Sequence, residues 1–162
     1  MSETHPAQVG GEQGVRHELR HHDGSTRSVL VIDREVPYPE GKLIVSRTDS
    51  EGRITHANRA FVEMSGYTEE ELIGQAHSIL RHPDMPRAAF KSLWDTVQAG
   101  QEWRGYVKNL RKDGAYYWVF ATVIANVRAG ATIGYTSVRR KPSRSKIDEA
   151  VALYATMRET QT

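Results

Sequence analysis

Three runs, EWRGYVKNL, YYWVFATVIANV and TIGYTSVRR, constrain this chain more than any other feature. Each is rich in β-branched and aromatic residues, as strands are. Only RKDG (Arg111 to Gly114) separates the first two, and RAG turns into the third. Connections that short join antiparallel neighbours. The resulting sheet must bury its faces against other elements, and the rest of the sequence has to supply them.

The segment from Lys42 supplies most of them. KLIVSRTD and RITHA read as two short strands joined by SEG. NRAFVEMSG begins at Asn58, a good N-cap, and stops at Gly66, a good helix exit. TEEELIG opens with a capping box, Thr68 with Glu71, and closes at Gly74. MPRAAFKSLWDTVQAG is a longer helix with Phe90, Leu93, Trp94 and Val97 on one apolar stripe. Pro86 suits its first turn, Gly100 its exit, and Asp84 is placed to cap its free amides. Finally SKIDEAVALYATMRE reads as an amphipathic helix with Ile147, Val151, Tyr154 and Arg158 near one stripe. The fold class expected is α+β: a five-stranded antiparallel sheet with short helices on one face. Terminal extensions or a second copy would cover the other.

Residues 1 to about 28 are rich in Gly, His, Ser, Thr and charge without a sustained period, which reads as mostly flexible chain. SVLVIDREV (Ser28 to Val36) reads as a strand or short helix laid on the domain, ended by PYPEG. The expected division is therefore a largely flexible extension at 1–35, a sensor-sized domain at 36–141 and a linker or signalling helix at 142–162. His17, His21 and His22 would share a face for a metal only if that tail were helical. A solvated tail is the plainer account.

The charge balance excludes several functions. A net charge of +2 gives no reason to expect a nucleic-acid partner. The basic cluster RRKPSRSK (Arg139 to Lys146) reads as a solvated linker. With no cysteine, disulfides, thiolate metal sites and cysteine nucleophiles are excluded. No apolar run reaches transmembrane length and no signal peptide is visible, so a soluble, cytoplasmic chain is expected. Nor is there a nucleophile–base pairing, a phosphate loop or metal-ligand spacing, so no enzyme is expected.

One stretch asks for more than connectivity. In ILRHPDMPRAAF, an Arg-His pair and an acid sit between rigid prolines just before the long helix. Arg81 offers a planar donor fork suited to phosphate oxygens, and His82 one further donor. Asp84 would cap the helix, fix Arg81 or His82, or accept from a ribose hydroxyl. A capped, salt-bridged loop is the structural alternative.

Over roughly Lys42 to Arg140 the sequence resembles a PAS domain, which shares this order of strands and helices. More narrowly, ITHANRAFVEMSGYTEEELIGQ, HSILRHPDMPRAAFKSLW, WRGYVKNLRKDGAYYWV and GYTSVR are similar to the N-terminal sensor domain of bacterial aerotaxis receptors. The resemblance implies the PAS fold and non-covalently bound FAD. It also implies relay of the flavin's redox state, which follows respiration and oxygen, to a chemotaxis signalling module in cis or in trans. A homodimer through terminal helices is a further expectation.

A flavin needs an apolar slot for a planar ring, polar groups at the ring edge and donors for a pyrophosphate. Phe90 and Trp94 on the long helix and Trp103 on the next strand are candidates for the slot, each equally readable as core. Alternation places Trp103, Gly105, Val107 and Asn109 on one face, with Tyr106 and Leu110 on the other. The Asn109 amide can both donate to and accept from a ring edge. Gly105 would leave room for a ring or mark a bulge. Tyr117 and Trp118 point to opposite faces, so one of them faces the pocket. The candidate cofactor-binding set is Asn58, Arg81, His82, Asp84, Phe90, Trp94, Trp103, Asn109 and Tyr117. Redox change at the ring edge would reorient Asn109 and bias the sheet. The alternatives are a haem-binding PAS gas sensor, with His77 or His82 as axial ligand, and a cofactor-free dimerisation module. The thiol adduct chemistry of light-sensing LOV domains is excluded by the lack of cysteine.

Overall fold

The computed structural model describes residues 6–9, 12–20 and 26–160. Its strands are β1 (Pro6–Val9), β2 (Glu12–Arg20), β3 (Thr26–Ile32), β4 (Ile44–Asp49), β5 (Ile54–Ala57), β6 (Trp103–Leu110), β7 (Tyr116–Arg128) and β8 (Ala131–Arg140). Its helices are α1 (Arg59–Ser65), α2 (Glu69–Leu72), α3 (Arg87–Gln98) and α4 (Arg144–Thr160), with a 3₁₀ turn at His77–Leu80. Five strands form an antiparallel sheet in the order β5–β4–β8–β7–β6, the expected architecture.

Local chemistry sets the short helices. Asn58 Oδ1 accepts from the Phe61 amide at 3.0 Å, and Gly66 ends α1 at φ 77°, left-handed backbone that favours glycine. The Thr68–Glu71 capping box closes in both directions, at 3.1 and 3.0 Å. The start of α3 differs from expectation. Pro86 is its N-cap and Asp84 caps nothing, because its carboxylate is held instead by Lys108 Nζ at 2.7 Å.

Both faces of the central sheet are covered. Phe61, Leu72, Leu80 and Val97 pack with Tyr117 and Val119 on the inner face, which α1, α2 and α3 roof. On the outer face α4 lays Ile147, Ala150 and Tyr154 against Trp118, with the two aromatic rings stacked 6.3 Å apart. Tyr154 Oη donates to the Tyr106 carbonyl at 2.6 Å. The buried stripe thus runs through Ala150, and Val151, expected on it, is exposed. Among the described residues no helix is long and apolar enough to cross a membrane.

The N-terminal extension departs most from expectation. Over its described residues it forms a second, three-stranded antiparallel sheet, β1–β2–β3, rather than flexible chain. Leu19 and Val29 pack on Leu110, and the Ile32 amide donates to the Gly114 carbonyl at 2.9 Å. These partners lie some 80 residues away, which is why no local period announces them. His17 lies in β2, so the helical spacing a metal cluster required is not formed; His21 and His22 lie outside the described residues.

Candidate functional site

A cavity of about 1600 Å³ lies between α3, the 75–81 segment and the inner face of β6, β7 and β8, with β3 completing its wall. Sites for drug-sized ligands occupy roughly 300–1,000 Å³, so this one has room for a larger molecule. Phe90 and Trp94 face it from α3, and Trp103, Val107 and Asn109 from β6. Tyr106 points the other way, toward α4, as alternation required. Trp94 meets Tyr135 edge to face at 5.1 Å. The role of Gly105 is clear: a Cβ there would come within 2.4 Å of the Trp103 indole, which lies across it. The glycine makes room for the chain's own ring, and β6 pairs β7 without a bulge.

Arg81 enters the cavity because its backbone bridges that of Asn109, pinning the RHPDMP segment to β6. Its guanidinium sits over the Phe90 ring at 4.6 Å, and its Nε is buried without a partner. Asn109 is itself buried, and the Tyr117 hydroxyl lies within reach of its amide without forming a well-directed hydrogen bond. Burial pushes that hydroxyl up to about 12.

Four of the sequence candidates do not line this cavity. The Asn58 amide is committed to the Phe61 and Val45 amides and the Leu43 carbonyl, so it caps and staples rather than binds. His82 is buried outside the cavity, its Nδ1 accepting from the Asp84 amide at 3.0 Å. Burial, then the Lys108 charge, drives its pKa down to about 3. Asp84 lies beside it; burial would raise its carboxyl, but Lys108 and Arg158 hold it below the usual range. Tyr117 stands behind Asn109 in the core. The RHPDMP segment is thus divided: Arg81 points into the cavity, and Asp84 points to Lys108 and to Arg158 of α4, which donates to its carbonyl.

The sequence reading missed Arg139. Placed with the solvated linker, it is only 2% exposed and forms part of the cavity wall. Alternation along β8 from Tyr135 through Ser137 would have found it. Its guanidinium lies over the Phe61 ring at 4.6 Å and donates to Ser137 Oγ at 2.9 Å and Ser46 Oγ at 3.0 Å. Its Nε is buried with no partner, and among the described residues it makes no ion pair. Burial pulls its pKa down to about 10. His77 adjoins it, stacked on Phe61 with Nε2 shared between Ser46 and Arg139. Burial, then the Arg139 charge, drives His77 down to about 3.

The cavity wall carries eight guanidinium or ammonium side chains and two carboxylates. Four of the cations are paired with carboxylates, Arg53 with Glu51, Lys91 with Asp95, Arg111 with Asp113 and Lys112 with Glu71, which still leaves the wall cationic. A cavity so lined favours an anionic guest.

An antiparallel five-stranded sheet, roofed by short helices over a ligand-sized cavity, is the architecture of a sensor module. The chain belongs to the PAS fold family, which matches residues 54–139. It is 42% identical over 132 residues to the aerotaxis receptor of Escherichia coli K12, covering 82% of this chain and 26% of the receptor. It is also 34% identical over 80 residues to a nitrogen fixation regulatory protein of Klebsiella pneumoniae, covering 49% of this chain and 16% of that protein. The chain therefore spans about a quarter, or less, of the length of these relatives. Among solved structures, the light state of the Aureochrome1 LOV photoreceptor matches with a TM-score of 0.59 at 21% identity, over 72% of this chain and 91% of that one. A light-oxygen-voltage domain studied with a flavin analogue matches with 0.57 at 23% identity, over 74% and 87%. These likenesses show the fold.

Proposed function

We propose that this chain is a redox-sensing PAS domain that holds FAD non-covalently in the cavity and relays its state to a chemotaxis output. The observation that carries the reading is Arg139: a buried cation without a carboxylate, facing a cavity too large for a small metabolite. A buried charge left unpaired is costly, and an electron-rich ligand edge offsets that cost. The residues fit the group. Phe90, Trp94 and Trp103 supply flat apolar walls, Asn109 a polar edge and Arg81 a fork for phosphate oxygens. The similarity to an aerotaxis receptor supports the sensing role and the signalling partner. The likeness in fold to a domain studied with a flavin analogue is consistent with that ligand class.

A flavin supplies reversible electron uptake at a planar ring. The chain's own residues do the rest: the aromatic walls position the ring and exclude water, and the Asn109 amide exchanges donor for acceptor as the edge changes. Because Arg81 is bridged to Asn109, and Asp84 reaches Lys108 and α4, a shift at the cavity has a contiguous route to the C-terminal helix. We place the sensor domain at 36–141 in the cytoplasm, with α4 as its output and dimer-forming element.

The haem alternative is less well served. His77 Nε2 is engaged by Ser46 and Arg139, and His82 lies outside the cavity. The absorption spectrum of purified protein decides: flavin bands support the proposal, and a haem band or a colourless protein that takes up no added FAD overturns it. Chromatography of the released cofactor separates FAD from FMN.

A further inference from the structure

The family match starts at residue 54, yet the cavity wall includes residues of β3, well before it. Arg27 is the charged member of that strand. Its Nη2 donates to the Ile79 carbonyl at 2.8 Å, two residues before Arg81, and its remaining N–H groups have no partner among the described residues. A guanidinium carries five donors in a rigid fork, so most of this one's hydrogen-bonding capacity is unused. Arg81 and Arg87 line the same cavity.

We propose that Arg27 is a ligand-contacting residue, completing with Arg81 and Arg87 a cationic mouth for the diphosphate of the bound dinucleotide. Loading the cavity then tightens the existing contact between the N-terminal sheet and the sensor domain. The inference rests on the flavin reading above and adds a phosphate contact from outside the family's matched residues. Burial, then the Arg87 charge, holds the Arg81 guanidinium below its ordinary pKa. A diphosphate relieves that repulsion and gives Arg27 a partner for its open donors. The anchor is already in place: β3 is fixed by the Ile32–Gly114 hydrogen bond and the Val29–Leu110 packing. Arg27 therefore has little orientational freedom left to lose.

The test compares the wild-type chain with Arg27→Gln, titrated with FAD and with riboflavin, which has the same ring and no phosphate. Arg27 is half-exposed, so the variant folds. FAD affinity is expected to fall about tenfold or more, the effect of one charge-assisted contact, while riboflavin affinity stays within twofold. Arg27→Lys should recover part of the loss. In the wild type, added FAD should slow amide exchange across Val29–Val31, and in Arg27→Gln this protection should shrink. Equal FAD affinity in the two proteins, or an equal loss for FAD and riboflavin, overturns the phosphate contact and leaves the flavin reading standing. A wild type that binds neither molecule overturns both.

Discussion

Arg81 and Asn109 are bridged backbone to backbone, an isolated antiparallel pair joining the proline-bounded loop to strand β6. The two side chains most suited to a flavin's phosphates and ring edge are therefore mechanically one unit. Anything that turns the Asn109 amide pulls on the segment that also carries Asp84, and through it on Lys108 and α4.

Replacing Asn109 with Ala should leave flavin bound, since the aromatic walls and Arg81 remain, yet detach conformation from redox state. Limited proteolysis of oxidised and reduced wild type should give different cleavage rates at α4. In the variant the two rates should converge. A redox-dependent difference that survives in Asn109→Ala would falsify this route.

Asp84 and Lys108 make the next link. Lys108 is 14% exposed at its side chain and also lies over the Tyr116 ring at 4.2 Å. Asp84→Asn removes the charge that partners it while preserving shape. Removing one partner of a fully buried pair costs about 3–5 kcal/mol. Asp84 is half-exposed, so about 1–2 kcal/mol is expected here. The readouts are the urea midpoint, which should fall, and trypsin cleavage after Arg144, Lys146 and Arg158 of α4, which should rise. A variant of unchanged stability whose α4 is as protected as the wild type's would remove Asp84 from the path.

How much of this was legible without coordinates follows the range of each interaction. The capping bonds of Asn58, Thr68 and Glu71 reach amides within three residues and could be read directly. The bonds of Asn58 to Val45 and Leu43, which take it out of the binding set, could not. Strand alternation placed Trp103 and Asn109 on the same face and Tyr106 opposite. His82 and Asp84 looked like binding groups because their types suit phosphates and riboses. Only the β6 edge, some 25 residues away, shows that they turn from the cavity toward Lys108. Arg139 was lost in a basic run whose other members are surface charges, such as Lys141 paired with Glu40 and Arg144 with Glu35. The N-terminal sheet was hidden because its stability comes from docking on Leu110 and Gly114, which its own composition does not encode.

Acid should weaken this fold earlier than ordinary carboxylate titration would. A histidine in the unfolded chain takes up its proton near 6.5, whereas His77 and His82 in the fold do so only at about 3. Below pH 6.5 the unfolded state binds more protons. The stability is therefore whole above that value and falls as pH falls, by up to about 1.4 kcal/mol per pH unit for each histidine. Asp84, whose pKa is lowered, adds its loss only below the ordinary aspartate value of 3.8. The urea midpoint should drop clearly between pH 7 and pH 5, and His77→Gln should flatten the dependence. Identical wild-type midpoints at the two pH values would contradict the neutral, buried state of both rings.

Arg139 yields a prediction in which stability and binding move in opposite directions. If its guanidinium served the fold alone, Arg139→Met would destabilise the ligand-free chain. As an unpaired buried cation over the Phe61 ring, it instead strains that state, and burial already pulls it down to about 10. An apolar side chain of similar length removes the desolvation penalty, so the ligand-free variant should be as stable as the wild type or more so, by about 1–3 kcal/mol. The same change deletes the charge facing the cavity, and flavin affinity should fall by at least tenfold. Urea melts of the two apo proteins and flavin titrations of each give both numbers. Loss of stability with binding intact would show that Arg139 belongs to the scaffold and has no part in holding a ligand.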